Sequence, residues 1–322
     1  MINNDPACPD LQEIRMAASR IRPYIHRTPL LTSGALNRLT GAELLFKCEN
    51  FQKAGAFKAR GAVNSVLSLQ PEQIASGVAT HSSGNHAQAL AWAASLRNCR
   101  AFIVMPVNSS HVKIDAVKEY GGLITFCEPT LAARESTLRE VLDRTGATEI
   151  HPYNDLRTIT GQATAALEMI EDVGPFDILM TPVGGGGLLS GTALSAHYLT
   201  PGTKIIAAEP EQANDAYLSF ARKEFVPSVS PDTIADGLRT SLGSLTFPII
   251  LKYVEEILTV PEEAIIQSMQ ILWERMKILV EPSAAVPFAA VLTYPQKFTG
   301  KKTGIIISGG NVDLYHLPWT TR

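Results

Sequence analysis

The sequence predicts an α/β fold of two open, twisted-sheet lobes. Two observations carry that prediction. Between about residue 75 and residue 210, short β-type runs alternate with helix-like stretches, the pattern of parallel sheets covered on both faces. Several runs end in glycine-punctuated turns that open a helix, and open α/β sheets hold ligands at such strand ends. At 322 residues, two lobes with a ligand between them fit the length better than one oversized sheet.

The predicted strands, in order, are Gly77–His81, Arg100–Met105, Leu123–Cys127, Glu149–His151, Asp177–Met180, Lys204–Ala208 and a last buried run, Gly304–Ser308. Helical patterns separate them at Ala87–Leu96, Val112–Tyr120 and Leu131–Thr145, and an amphipathic stretch covers Pro261–Val280. Repeats, low-complexity segments and long linkers are absent.

Composition excludes several classes of function. A formal net charge of −3 gives no basic field for nucleic acid or an anionic membrane. Cys8, Cys48, Cys99 and Cys127 are scattered without C-x-x-C spacing, against a zinc site and against a disulfide framework. No uncharged apolar run could span a bilayer. The polar start, Met1 to Pro6, lacks a signal-peptide core, so the expected compartment is cytoplasmic.

Four consecutive glycines, Gly184 to Gly187, lie between the apolar run Phe176–Val183 and the stretch Leu188–His197. That is strand, loop, helix. Successive glycines turn several N–H groups toward one point, and the helix adds its positive dipole end. A phosphate or other small anion suits such a loop. A tight turn without a ligand is the alternative. The spacing is neither G-x-G-x-x-G nor a Walker loop, so dinucleotide and nucleoside-triphosphate assignments lose their main support.

Two further turns follow β-runs. Ser82, Ser83, Gly84, Asn85 and His86 offer hydroxyls, an amide and helix N–H groups that suit a carboxylate, or simply cap the helix. Ser308 to Asp313 follows the last strand. Lys58 sits among small apolar residues with Arg60 two positions on. Burial near another cation lowers a lysine pKa and makes an amine nucleophile; a solvated helix lysine is the alternative.

Together these segments resemble the fold-type II pyridoxal-phosphate enzymes, tryptophan synthase β-like in architecture, and within them the serine/threonine dehydratase and serine racemase group. The resemblance runs from Arg22 through the Pro29 region to Asp313. It implies a large cofactor domain, 1–52 and 153–322, and a small mobile domain, 53–152, with Lys58 near the hinge. Lys58, preceded by Phe57, would carry the pyridoxal 5'-phosphate. Gly184, Gly185, Gly186, Gly187 and Leu188 would donate N–H groups to its phosphate. Asn85 would bond its phenolic oxygen, Ser308 would face its ring nitrogen, and Gly237 would lie beside the ring. Ser82, Ser83, Asn85 and His86 would line the substrate carboxylate, and Ser83 would be the second catalytic base of a racemase. A neutral Ser308, unlike an acid, would favour prompt β-elimination.

The resemblance also reaches the Ala208–Asp215 segment. Glu209, Asp215 and the Ala213 carbonyl offer hard oxygen ligands on one short turn, suited to Mg²⁺, Mn²⁺ or Ca²⁺, and the turn is similar to the divalent-cation turn of the racemase branch. Ala56 and Ala87 depart from many relatives and point to the branch of racemase-like dehydratases and 3-hydroxyaspartate ammonia-lyases. Arg134, if it faces inward, would meet a second carboxylate; beside Glu135 it could equally be an exposed helix arginine. Lys53 and Asn311 are compatible with a nucleotide effector at a homodimer interface. An end at Arg322, soon after the last motif, leads to the expectation of no regulatory domain.

The expected function is deamination of L-serine and L-threonine to 2-keto acids. Serine racemase and threo-3-hydroxyaspartate ammonia-lyase are the alternatives on the same site, and a catalytically idle amino-acid sensor is the alternative of another class. A nicotinamide oxidoreductase would need a G-x-G-x-x-G unit with a ribose-binding acid, which is absent.

Overall fold

Apolar runs rich in Ile, Val, Leu and Phe form the strands of two sheets. The computed structural model describes residues 8–320; Met1 to Pro6, which bore on the signal-peptide expectation, and Arg322 lie outside them. The strands are β1 (Leu30–Thr32), β2 (Glu43–Cys48), β3 (Val78–His81), β4 (Ala101–Pro106), β5 (Leu123–Cys127), β6 (Thr148–Glu149), β7 (Ile178–Pro182), β8 (Lys204–Pro210), β9 (Glu256–Val260) and β10 (Lys302–Ile307).

The larger sheet has the order β1-β2-β10-β7-β8-β9 and the smaller β5-β4-β3-β6. All neighbours are parallel except β1, which pairs with β2 antiparallel. Central β10 sets Ile305 opposite Phe46 of β2 and Met180 of β7, and all three are buried. Crossover helices cover the faces, as parallel sheets require.

Most predicted runs become strands. The Glu149–His151 run pairs only at Thr148–Glu149, although Ile150 N–H still donates to the Ala79 carbonyl before the chain turns at Pro152. The Pro261–Val280 stretch is helical over Glu262–Met276 and stops at Lys277, which takes a left-handed φ of 61°. The sequence reading assigned nothing before residue 75, where the structure has the Leu11–Ile21 helix, β1 and β2. β2 breaks its apolar run with Lys47, which is fully buried and paired with Glu168 at 2.6 Å.

The Leu156–Val173 helix joins the elements that carry the sequence motifs. It packs on one side against the Lys58–Ser68 helix and on the other against the Gly187–Leu199 helix. The lysine and the glycine loop therefore share one rigid support. Among the described residues, no helix is long and apolar enough to cross a membrane.

Candidate active site

Lys58 opens the Lys58–Ser68 helix. The Phe57 N–H donates to the Ser308 carbonyl at 3.0 Å, and Ala56 bridges to Gly309. These contacts put the lysine beside the end of β10. Its Nζ donates to the Pro152 carbonyl at 2.8 Å. Burial lowers its pKa to about 8, with Glu281 pulling the other way. Arg60 plays no part in that shift, contrary to the sequence reading. Its guanidinium turns away and is neutralised by Glu49 at 2.7 Å and Glu168 at 2.8 Å.

The tetraglycine follows β7 and opens the Gly187–Leu199 helix. Gly186 adopts φ +87°, and a Cβ there would lie 2.7 Å from Ile250 Cδ1. A Cβ on Gly185 would lie 2.3 Å from the Tyr153 ring, and one on Gly184 would lie 3.2 Å from the Gly237 carbonyl oxygen. Gly237 thus stands beside the loop, its N–H bonded to Ser283 Oγ at 3.1 Å. The helix opens with N–H groups that have no partner within the helix itself.

Asn85 begins the Asn85–Ser95 helix after the Ser82–Gly84 turn. Its amide nitrogen donates to Glu281 Oε1 at 2.7 Å, and its oxygen accepts from Asn311 Nδ2 at 2.9 Å. Asn311 Nδ2 also donates to the Ala54 carbonyl, at 2.8 Å, so both of its amide hydrogens are spent inside the chain. Glu281 is 4% exposed. Burial pushes its carboxyl up to about 7, Asp236 adds to the rise, and Lys113, Asn85 and the Asn311 N–H oppose it. Sequence reasoning missed Glu281, which carries no local motif.

Ser82 Oγ accepts from the Gly84 N–H at 3.3 Å. Ser83 is half-buried in the same turn. His86 differs from its expected role: its ring is buried and its Nε2 is 3.0 Å from the Ile150 carbonyl. A carbonyl accepts, so Nε2 carries the hydrogen. Burial and the nearby Lys58 hold this imidazole well below its usual pKa. It anchors the turn to the end of β6 rather than lining a substrate with its side chain.

Beyond the turn lies a second group of side chains that the sequence did not mark. His81 and His151 stack edge to face at 6.1 Å, and His151 and Tyr153 at 4.6 Å. His151 Nδ1 accepts from the Asn154 N–H at 2.9 Å, so its proton sits on Nε2. Tyr153 Oη shares a hydrogen bond with Thr240 at 2.8 Å. Arg134 is half-buried on this side of the Leu131–Thr145 helix. Burial and then the Arg134 charge lower His81 to about 4. Arg134 also acts electrostatically on Tyr153. It faces inward.

At the Glu209 turn both carboxylates are buried. Glu209 accepts from the Ala216 and Tyr217 N–H groups at 3.0 and 2.8 Å. Burial drives its carboxyl well upward, those N–H groups pull back, and Asp215 adds to the rise. Neither Asp215 oxygen has a hydrogen-bond partner. Burial raises Asp215 to about 6, with the Ser228 hydroxyl opposing from outside hydrogen-bonding geometry. A cavity of about 340 Å³ opens beside it, lined by Ala213, Asp215, Arg222 and Ser228 among others. Among the described residues no group of three or more His, Cys, Asp or Glu side chains could hold a metal, so a cation here would need the backbone carbonyl and water.

Comparison with known proteins agrees with this geometry. The family described as pyridoxal-phosphate dependent enzyme matches residues 21–309. The chain belongs to the fold-type II pyridoxal-phosphate enzymes. It is 49% identical over 311 residues to a β-hydroxyaspartate dehydratase of Paracoccus denitrificans, covering 97% of this chain and 99% of that one. It is 48% identical over 308 residues to a serine racemase of Dictyostelium discoideum, covering 94% and 95%. The structure of maize serine racemase superposes with a TM-score of 0.94 at 45% identity, covering 98% and 97%.

Family membership implies pyridoxal phosphate, and the residues present fit it. A buried amine of lowered pKa stands at Lys58. A glycine loop that admits no side chain at Gly185 or Gly186 heads a 13-residue helix, a site for phosphate.

Proposed function

We propose that the protein is a dehydratase of β-hydroxy amino acids, with 3-hydroxyaspartate preferred and L-serine and L-threonine as lesser substrates. This reverses the order expected from sequence. The observation that carries it is Arg134, half-buried on the Leu131–Thr145 helix and near enough for its charge to act on His81 and Tyr153. A guanidinium held there suits a second carboxylate. His81 and His151, both lowered to about 4, are neutral at pH 7 and add no competing charge. Membership among relatives that include a β-hydroxyaspartate dehydratase supports the same choice.

In this reading the loop glycines and the Gly187–Leu199 helix hold the cofactor phosphate, Asn85 its phenolic oxygen and Ser308 its ring nitrogen. Bound pyridoxal phosphate supplies an electron sink for the pair released at Cα. Lys58 Nζ, a free amine over an accessible pH range because its pKa is about 8, takes the Cα proton. Loss of the β-hydroxyl as water leaves an enamine, which hydrolyses to the 2-keto acid and ammonia. Ser82 and Ser83, with the N–H groups that open the Asn85–Ser95 helix, receive the α-carboxylate. A divalent cation, Mg²⁺, Mn²⁺ or Ca²⁺, held by Glu209, Asp215 and the Ala213 carbonyl, would be structural, since elimination already has its electron sink.

Racemisation is the second reading, favoured by one observation: among the described residues no partner engages the Ser83 hydroxyl. Product analysis on holoenzyme with Mg²⁺ tests both. L-threo-3-hydroxyaspartate, L-serine and L-threonine are supplied separately. Keto acid chiefly from hydroxyaspartate supports the proposal. Chiefly D-serine from L-serine makes the enzyme a racemase, and a normal cofactor spectrum without turnover makes it a sensor.

A further inference from the structure

The carboxylate turn has a neighbour that neither its motif nor the proposed chemistry uses. Lys113 lies on the His111–Glu119 helix, which packs over the smaller sheet. Its Nζ lies 3.7 Å from the position a Cβ on Gly84 would occupy, so the ammonium rests against the turn itself. It is paired with Asp236, which belongs to the Asp236–Leu238 turn beside Gly237. The Lys113 side chain is 14% exposed and that of Asp236 45%.

Around the turn, His81 and His86 carry no charge at pH 7, being lowered to about 4 and well below the usual value. Lys113 is therefore a cation resting against the turn itself, besides the reacting amine of Lys58 and Arg134, whose charge reaches the turn through His81. Glu281 and Arg239 act on Lys113 with opposite sign. Asp236 is the more exposed partner, and water can take it back at low cost. Exchanging one carboxylate for another on a desolvated ammonium is close to balanced, whereas leaving that ammonium unpaired is costly.

We propose that Lys113 binds the α-carboxylate of the substrate, and that Asp236 holds its place in the free enzyme. The inference rests on the proposed amino-acid substrate. When substrate arrives, the Lys113 ammonium passes from Asp236 to the carboxylate on the Ser82–Asn85 turn, and Asp236 is released to water. Asp236 is a competitor for Lys113, not merely a strut between the two lobes.

The competing account, a simple latch, makes a different prediction. Removing either end of a latch has the same effect. Removing a ligand and removing its competitor have opposite effects. The test uses holoenzymes carrying Lys113→Met, Lys113→Arg and Asp236→Asn, each checked for native circular dichroism and cofactor content. Binding of L-serine and L-threo-3-hydroxyaspartate is read from the cofactor absorbance, and turnover from keto acid. The expected results are a KM raised about tenfold or more in Lys113→Met with kcat within threefold, recovery to within threefold of wild type in Lys113→Arg, and a KM in Asp236→Asn at or below wild type. Equal losses in Lys113→Met and Asp236→Asn would overturn the inference and leave a latch. A Lys113→Arg variant as poor as Lys113→Met would show that charge is not the cause and overturn it too. A wild-type spectrum that responds to no amino acid would instead overturn the substrate reading, and this inference with it.

Discussion

Gly61 and Gly161 touch backbone to backbone: a Cβ on Gly161 would lie 2.6 Å from the Gly61 Cα and 2.7 Å from the Arg60 carbonyl oxygen. The contact joins the helix that carries Lys58 to the Leu156–Val173 helix. The phosphate-loop helix meets the same partner on its other side, where a Cβ on Gly191 would lie 2.6 Å from the Ala163 nitrogen. Lysine and phosphate loop lie 126 positions apart in sequence (184 minus 58), yet one helix sets their separation.

Gly161→Ala should therefore disturb the site as well as the fold. Alanine gains up to about 1 kcal/mol of helix propensity, but the neighbour is backbone and cannot rotate away. Overpacking of this kind costs about 1–3 kcal/mol. The expected outcome is a lower urea midpoint and weaker retention of pyridoxal phosphate on dialysis. Gly202→Ala, where nothing lies within 4 Å, is the control expected to change neither.

Arg60 leads to a second prediction. All five of its donors are used, on Glu49, Glu168 and Thr164. Lys47 adds a bond to Glu168 at 2.6 Å and Thr28 one to Glu49 at 2.5 Å. Two cations and two carboxylates balance within the core. Arg60→Met leaves Glu49 and Glu168 with one cation between them, and breaking a buried pair in this way costs about 3–5 kcal/mol. Arg60→Lys should recover little, because one ammonium cannot serve both carboxylates. Urea unfolding of the cofactor-free protein checks both, and a midpoint unchanged in Arg60→Met would contradict the account.

The site was legible where its requirements are local. A glycine loop needs only neighbours in sequence to show its φ and its N–H groups, so Gly184 to Gly187 and the Ser82–His86 turn stood out. Residues chosen by distant partners did not. Glu281 meets Asn85 across 196 positions and Lys113 meets Asp236 across 123, and neither Glu281 nor Lys113 lies in a motif. Arg60 was visible but misjudged, because the carboxylates that neutralise it lie 11 and 108 positions away. The same holds for the fold. The alternating segments between 75 and 210 announced themselves, while β2 hid behind Lys47, whose partner Glu168 lies far along the chain.

Asp215 supplies the third prediction. Two buried carboxylate oxygens without partners, beside Glu209 and a cavity of about 340 Å³, are costly without a counter-charge. A cation there should stabilise the folded chain, by about 2.7 kcal/mol at a concentration one hundred times its Kd. Mn²⁺ should bind with one site per chain by electron paramagnetic resonance and raise the melting temperature. Asp215→Asn should lose both effects while keeping the cofactor absorbance. Retention of Mn²⁺ binding by that variant would move the cation elsewhere.

Glu281 gives the fourth, and its sign is set by its surroundings. Burial and Asp236 raise the folded carboxyl to about 7 from an ordinary 4.5, so between those values the folded chain holds a proton that the unfolded chain has lost. Its contribution to stability is complete below about pH 4.5 and is lost as pH rises through 7. A shift of this size corresponds to about 3 kcal/mol at most. Glu281→Gln has no carboxyl to ionise, and its amide oxygen can still accept from Asn85. The stability of the cofactor-free variant relative to wild type should therefore increase from pH 5 to pH 7 and level off above pH 8. Measuring the difference between the two proteins removes the contributions of Asp215, His81 and His151, which titrate in both. A difference that stays flat across pH 5 to 7 would mean that Glu281 is already ionised at the lower end, and that Lys113 and the Asn85 amide outweigh its burial.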